Sequence, residues 1–167
     1  MLAGEWCYDK QIVELYESES VTKCLNRLHD ENSTCALVYD NNHSLLGILE
    51  TSDVIRYILS PRPMGVSVKR VLRQCTVANP HVHVKEIMGH LRRGIRYVAI
   101  PEIESDSYQI VSQRAIINKM LDVMVDEDIF TSSVLSLGLV TNKKVIQCAD
   151  TFTARESFEI MSAYGIT

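Results

Sequence analysis

The chain has 167 residues, 46% of them hydrophobic and 23% charged, with a formal net charge of −4. That is the composition of a soluble globular protein of one sizeable domain or two small ones, and its mild acidity argues against general attraction to nucleic acid or membrane surfaces. No apolar run approaches the roughly 20 residues of a membrane span, and the N-terminus MLAGEWCYDK lacks the charged-then-apolar order of a secretion signal.

The first readable element is ESVTKCLNRLHDENSTCALV, in which Val21, Leu25 and Leu28 fall at i, i+4, i+7, so a helix is expected, followed by a short strand. The turn DNNHS, Asp40 to Ser44, has hairpin chemistry and leads into a second strand. LGILETSDVIRYIL then places Glu50, Thr51, Ser52 and Asp53 where that strand becomes a second helix. Asp53 or Ser52 can cap this helix and complement its dipole. The prolines of SPRPMG, Ser60 to Gly65, stop it.

The pattern then repeats. In HVHVKEIMGHLRRGIRYVAI, Val84, Met88, Leu91 and Ala99 match Val21, Leu25, Leu28 and Ala36 at a constant offset (84 − 21 = 63). SYQIVSQRAIINKML lies over LLGILETSDVIRYIL at an offset of 62 (116 − 54), with Glu102 to Ser107 as the intervening turn. Each unit therefore reads strand, helix, strand, strand, helix. The segment DVMVDEDIFTSSVLSLGL is expected to be a helix end, an acidic loop and a short helix over Leu135 to Leu139. Beyond Lys143-Lys144 a third copy begins with a strand, and Ala154, Phe158 and Met161 stand where Val84, Met88 and Leu91 stand (154 − 84 = 70). The chain is expected to be a fragment of a longer repeat protein, the alternative being a short chain whose last helix caps the pair. The expected core is Val21, Leu25, Leu28, Val54, Ile58, Val84, Met88 and Leu91.

A β-α-β-β-α unit of about sixty residues, with Gly47-Ile48-Leu49-x-x-x-Asp53-Val54 before its last helix, resembles the CBS domain. RRGIRYVAIP, YQIVSQRAIINKML and FTSSVLSLGLVTNKKVIQCADTFTARESFEIMSAYGIT are similar, more closely, to segments of the gamma subunit of the AMP-activated protein kinase and its yeast and plant relatives. The resemblance implies an α/β fold of tandem CBS repeats paired about a pseudo-twofold axis as a Bateman module. The units would be residues 1–62 and 63–124, with 125–167 as linker and first half of a third repeat. It implies a cytoplasmic, non-catalytic regulatory protein that binds AMP, ADP or ATP between repeats, with kinase alpha- and beta-type subunits as partners and a homodimer through CBS pairs as another association. A degenerate CBS pair holding partners together without ligand is the rival reading, and the regulatory appendage of an enzyme or transporter a third.

For the nucleotide, the resemblance implies Asp53 as acceptor of ribose hydroxyls, with Thr51 and Ser52 beside it. It makes Arg96 a phosphate-facing arginine and brings Arg114 to phosphate from the neighbouring repeat, so that Asp53 and Arg114 meet one ligand. Arg92 and Arg93 read as a solvated basic helix end. Glu50 departs from the family pattern, which has a hydroxyl three residues before the aspartate, and a carboxylate there would repel phosphate. Unit two has Ala115 where Asp53 would fall and Gln109 where Gly47 would fall, so its ribose site is expected to be vestigial. Five cysteines without a C-x-x-C pair make a disulfide scaffold or zinc site a poor reading and suit small buried residues in a reducing compartment. His81-x-His83 would share a face of a strand but lacks a third metal ligand, and no nucleotide-binding P-loop, kinase or hydrolase signature occurs.

Overall fold

The computed structural model describes residues 12–61, 65–103, 105–123, 132–133, 135–136 and 145–165. The short helix expected at Leu135 to Leu139 and the Lys143-Lys144 pair lie wholly or partly outside those residues.

Unit one runs β1 (Val13–Tyr16), α1 (Val21–Asp30), β2 (Cys35–Tyr39), β3 (Leu45–Glu50) and α2 (Thr51–Leu59). Unit two runs β4 (Thr76–Val77), α3 (Val84–Arg92), β5 (Tyr97–Pro101), β6 (Tyr108–Ser112) and α4 (Gln113–Val123). Each forms a three-stranded sheet, ordered β1-β2-β3 and β4-β5-β6, in which the first pair is parallel and the second antiparallel. This is the expected α/β architecture of tandem CBS-type units. A further helix, α5 (Ala154–Ala163), lies against α2 where the third copy's first helix was expected. Among the described residues no strand directly precedes it, and Val145 to Ala149 are irregular.

Repeat symmetry is visible in the helix caps. The N-caps of α1, α3 and α5 are Ser20, His83 and Thr153, separated by the same 63 and 70 residues as the sequence repeat. Ser20 Oγ accepts from Lys23 N, Thr153 from Glu156 N, and His83 Nδ1 from Lys85 N. His83 is thus a capping residue, and His81 and His83 do not share a regular strand. No group of three metal-ligating side chains occurs among the described residues.

Two separate cores fill the units. Val13, Leu15, Val21, Cys24, Leu28, Ala36, Val38, Leu49, Val54 and Val68 close the first, and Val84, Ile87, Leu91, Val98, Ile100, Val111 and Ile116 the second. Two residues expected there are instead largely exposed, Ile58 (48%) and Met88 (43%), and Leu25 is only half-buried. The buried stripe of α1 is Val21, Cys24, Leu28 and that of α3 is Val84, Ile87, Leu91. Both run i, i+3, i+7, so the i+4 position turns outward. In α2, Tyr57 takes the inward place that Ile58 was expected to fill.

A third cluster joins the units. Every residue of β2 is buried: Ala36 and Val38 face their own helices, while Cys35, Leu37 and Tyr39 pack with Ile48, Ala99 and Ile110. A strand covered on both faces loses the polar alternation of a half-solvated sheet, which is why CALVY reads as a continuous apolar run. Thr34 and Tyr97, repeat mates at an offset of 63, hydrogen-bond each other through their hydroxyls at 2.9 Å. Mates meet this way only close to a twofold rotation axis, so the two units are paired about a local pseudo-twofold.

The connection between units is pinned to unit one. Arg73 exchanges backbone hydrogen bonds with Ile48, both 2.9 Å, and Val68 N donates to Glu19 O at 2.9 Å. Gly47 lies directly beneath this crossing, and a Cβ there would come to 2.7 Å of Leu72 Cδ1 and closer still to the Arg73 carbonyl oxygen.

Cys24, Cys35 and Cys75 behave as small, wholly or partly buried apolar residues. Burial pushes the Cys24 and Cys75 thiols up to about 11 and that of Cys35 up to about 12, and all are free. Cys148 is exposed. Relative to an ordinary thiol, a rise of this size lowers the thiolate fraction at neutral pH by about a hundredfold or more. Iodoacetamide is therefore expected to alkylate Cys148 well before Cys24, Cys35 and Cys75 in the folded protein, with all four equalised in urea, as read by peptide mass mapping.

Candidate functional site

The ETSD segment answers first to the fold. Glu50 is the N-cap of α2, and its backbone N–H donates to Asp53 Oδ2 at 3.1 Å. Asp53, three residues on, reaches back to that N–H as the acid of a capping box does. Its carboxylate also accepts from Arg56 Nη1 at 3.0 Å and from Arg73 Nε, and its side chain is 1% exposed. Arg73 Nη2 donates to Ser52 Oγ at 3.1 Å, and Thr51 Oγ1 donates to the Thr34 carbonyl at 3.1 Å. The cap is thus Glu50 with Asp53, where the sequence pointed to Asp53 or Ser52. The hydroxyls and the aspartate tie α2 to the inter-unit connection and to the start of β2.

Glu50 has a second task. It is 5% exposed, accepts from Ser52 Oγ at 3.3 Å and pairs through Oε2 with Arg96 Nη1 of the other unit at 3.0 Å. The one acid expected to repel phosphate and the arginine expected to face it therefore neutralise each other across the pseudo-twofold.

Between the units lies a cavity of about 480 Å³. Unit one supplies the turn from Glu31 to Cys35, after α1, and unit two supplies Arg96, Tyr97 and the β6–α4 junction with Ser112, Gln113 and Arg114. The volume falls within the 300–1,000 Å³ of small-molecule sites. Arg114, in the first turn of α4, is exposed and has no ion-pair partner among the described residues. Arg96 and Arg114 both line this cavity. Asp53 is not part of this lining, so Asp53 and Arg114 are not placed on one ligand here. The β6–α4 junction is instead the repeat mate of the Glu50–Ser52 segment, and Ala115 leaves it without a carboxylate.

Sequence reasoning missed Glu31 to Cys35 and Tyr97. The signal was available, because the 63-residue offset carries the Gly94–Val98 segment, which holds Arg96, onto Glu31–Cys35. The cluster Arg92 and Arg93 is exposed, with Arg93 Nη2 lying 3.1 Å from His90 Nδ1, as a solvated helix end.

Fold and cavity define a paired-repeat α/β module with a cleft at the unit boundary. Residues 4–60 match the family model of the CBS domain, and the two units resemble CBS tandem repeats. A Methanocaldococcus jannaschii protein, suggested to be an archaeal homologue of g-AMPK, superposes with a TM-score of 0.80 at 15% identity over 99% of this chain and 64% of its own. An uncharacterised conserved protein of Pyrococcus horikoshii gives 0.62 at 17% identity, over 71% of this chain and 90% of its own. A CBS domain protein of Pyrobaculum aerophilum complexed with AMP gives 0.60 at 13% identity, over 84% and 100%. At these identities the likeness is one of fold. No curated protein sequence matches the chain. No helix among the described residues is long and apolar enough to cross a membrane.

Proposed function

We propose that the chain is a non-catalytic regulatory module that binds an adenine nucleotide between its two repeats. The observation that carries this reading is the inter-unit cavity with two arginines on its wall, Arg96 and Arg114. Guanidinium groups match phosphate oxygens in bidentate geometry. Ligand held by residues of both units favours whichever packing of the units it fits better, and that differential affinity is the signal. The AMP-bound Pyrobaculum protein supports the choice of ligand, and the Methanocaldococcus protein, similar over 99% of the chain, supports a gamma-type regulatory subunit of a kinase as the finer role. On this reading residues 1–62 and 63–124 are the repeats and 125–167 the linker and start of a third. Thr51, Ser52 and Asp53 belong to the twofold-related side, where a ribose competes for the Asp53 carboxylate with the Glu50 N–H, Arg56 and Arg73.

Calorimetric titration of the chain with AMP, ADP and ATP is expected to show binding that Arg114→Ala weakens at least about tenfold, the loss of a charge-assisted phosphate contact. Absence of binding by a chain shown by circular dichroism to be folded would favour the ligand-free structural module, to which the occupied Glu50–Arg96 pair and Ala115 already point.

A further inference from the structure

The cavity carries little net charge. Arg96 and Arg114 are its cations, Glu31 stands on its wall, and Glu50 holds Arg96 from behind. Two cations against two anions give a formal sum of zero. Glu50 is a fixed counter-ion rather than a passing surface partner. It is buried, its backbone begins α2, Ser52 donates to it, and its own N–H is held by Asp53. Swinging its carboxylate out to solvent would give up both the Ser52 hydrogen bond and the Arg96 ion pair.

Resting on the nucleotide reading above, we propose that this cavity selects a nucleoside monophosphate over the triphosphate, and that Glu50 is the residue that sets the preference. Arg114 and the N–H groups of Arg96 that do not face Glu50 can meet one phosphate, since a guanidinium offers five donors. Each further phosphate brings about one more negative charge into a site with no uncompensated cation left for it, and toward a carboxylate in a partly desolvated boundary where repulsion is weakly screened. Unit two, by contrast, has Ser112 where unit one has Glu50 (112 − 50 = 62), so the counter-ion is peculiar to one half of the module.

The test is calorimetry of the full chain with adenosine, AMP, ADP and ATP in magnesium-free buffer at fixed ionic strength. The wild type is expected to bind in the order AMP, ADP, ATP, with AMP about tenfold or more tighter than ATP. Glu50→Gln keeps the shape and removes the charge, so ATP should gain more than AMP and the ratio should narrow to about threefold or less. Glu50→Asp, which keeps the charge but draws it back from Arg96, should narrow the ratio in the same direction by less. ATP binding as tightly as AMP to the wild type overturns the proposal without recourse to any variant. An unchanged ratio in either folded variant overturns the role of Glu50. Failure of every ligand to bind a folded wild type is a different result, for it removes the nucleotide reading itself and the selectivity with it.

Discussion

Replacing Gly47 by alanine is expected to cost about 2–4 kcal/mol of unfolding free energy, the sum of overpacking and weakened backbone hydrogen bonds. The position does not need glycine for its dihedral angles. It needs glycine because the connection between units crosses β3 there, with Arg73 and Ile48 exchanging two backbone hydrogen bonds of 2.9 Å. The methyl group would meet backbone, the Arg73 carbonyl, and come to 2.7 Å of Leu72 Cδ1. Backbone cannot rotate aside as a flexible side chain can, so the crossing must lift. Gly89 is the matched control: it sits inside α3, where an added Cβ has nothing within 4 Å. Gly89→Ala is expected to stabilise by about 0.5–1 kcal/mol through helix propensity and the unfolded-chain entropy. Urea unfolding of the two variants beside wild type reads both signs in one experiment, and a Gly47→Ala protein as stable as wild type would mean that the crossing is not held as described.

The same crossing explains a substitution that the repeat alone left unexplained. Gln109 is the mate of Gly47, and in unit two its side chain donates to Glu102 Oε1 at 2.9 Å. The Glu102 carboxylate also accepts from the Ser105 and Ser107 hydroxyls, which hold it down at about 2. A hairpin-closing network occupies the site that, in unit one, is kept clear for Arg73. Glycine in unit one thus leaves room for the crossing segment, while glutamine in unit two extends the hairpin network.

What the sequence made legible was periodic and local. The offsets of 63, 62 and 70 placed the helices, the hairpin turns and even the spacing of the N-caps, since all of these depend on residues within a few positions of one another. Asp40 shows this directly: its carboxylate accepts from Asn42 N and Ser44 N, both 2.8 Å, a turn written in five letters. Two kinds of fact escaped. In helices of nine or ten residues, i+3 and i+4 lie on either side of position i, and only the sheet beneath decides between Cys24 and Leu25 or between Ile87 and Met88. The individual contacts made across the paired units were the other. Glu50 read as an obstacle to phosphate because nothing in its neighbourhood of sequence announces Arg96, 46 residues on and 3.0 Å away.

Asp53→Ala separates two accounts of the same residue. As a ribose acceptor alone, Asp53 would be lost with a fall in nucleotide affinity and little change in stability. The structure supports the opposite expectation. Its carboxylate, 1% exposed, is the acceptor for the Glu50 N–H, Arg56 and Arg73 together. Truncation leaves the N-cap N–H of α2 without its partner, which costs about 1–3 kcal/mol for a buried donor. The guanidinium of Arg73 loses its ion pair as well, but at 40% side-chain exposure it recovers solvation and adds less than a fully buried charge would. The expected total is about 2–4 kcal/mol, with Asp53→Asn intermediate, because one amide oxygen can still serve the N-cap while the amide NH₂ is set against a donor. AMP affinity at a temperature where the variant remains folded is expected to stay within about twofold of wild type, since Asp53 does not line the Arg96–Arg114 cavity. Tenfold weaker binding with an unchanged melting temperature would instead put the ribose on Asp53, and would require Arg73 to leave the carboxylate when ligand arrives.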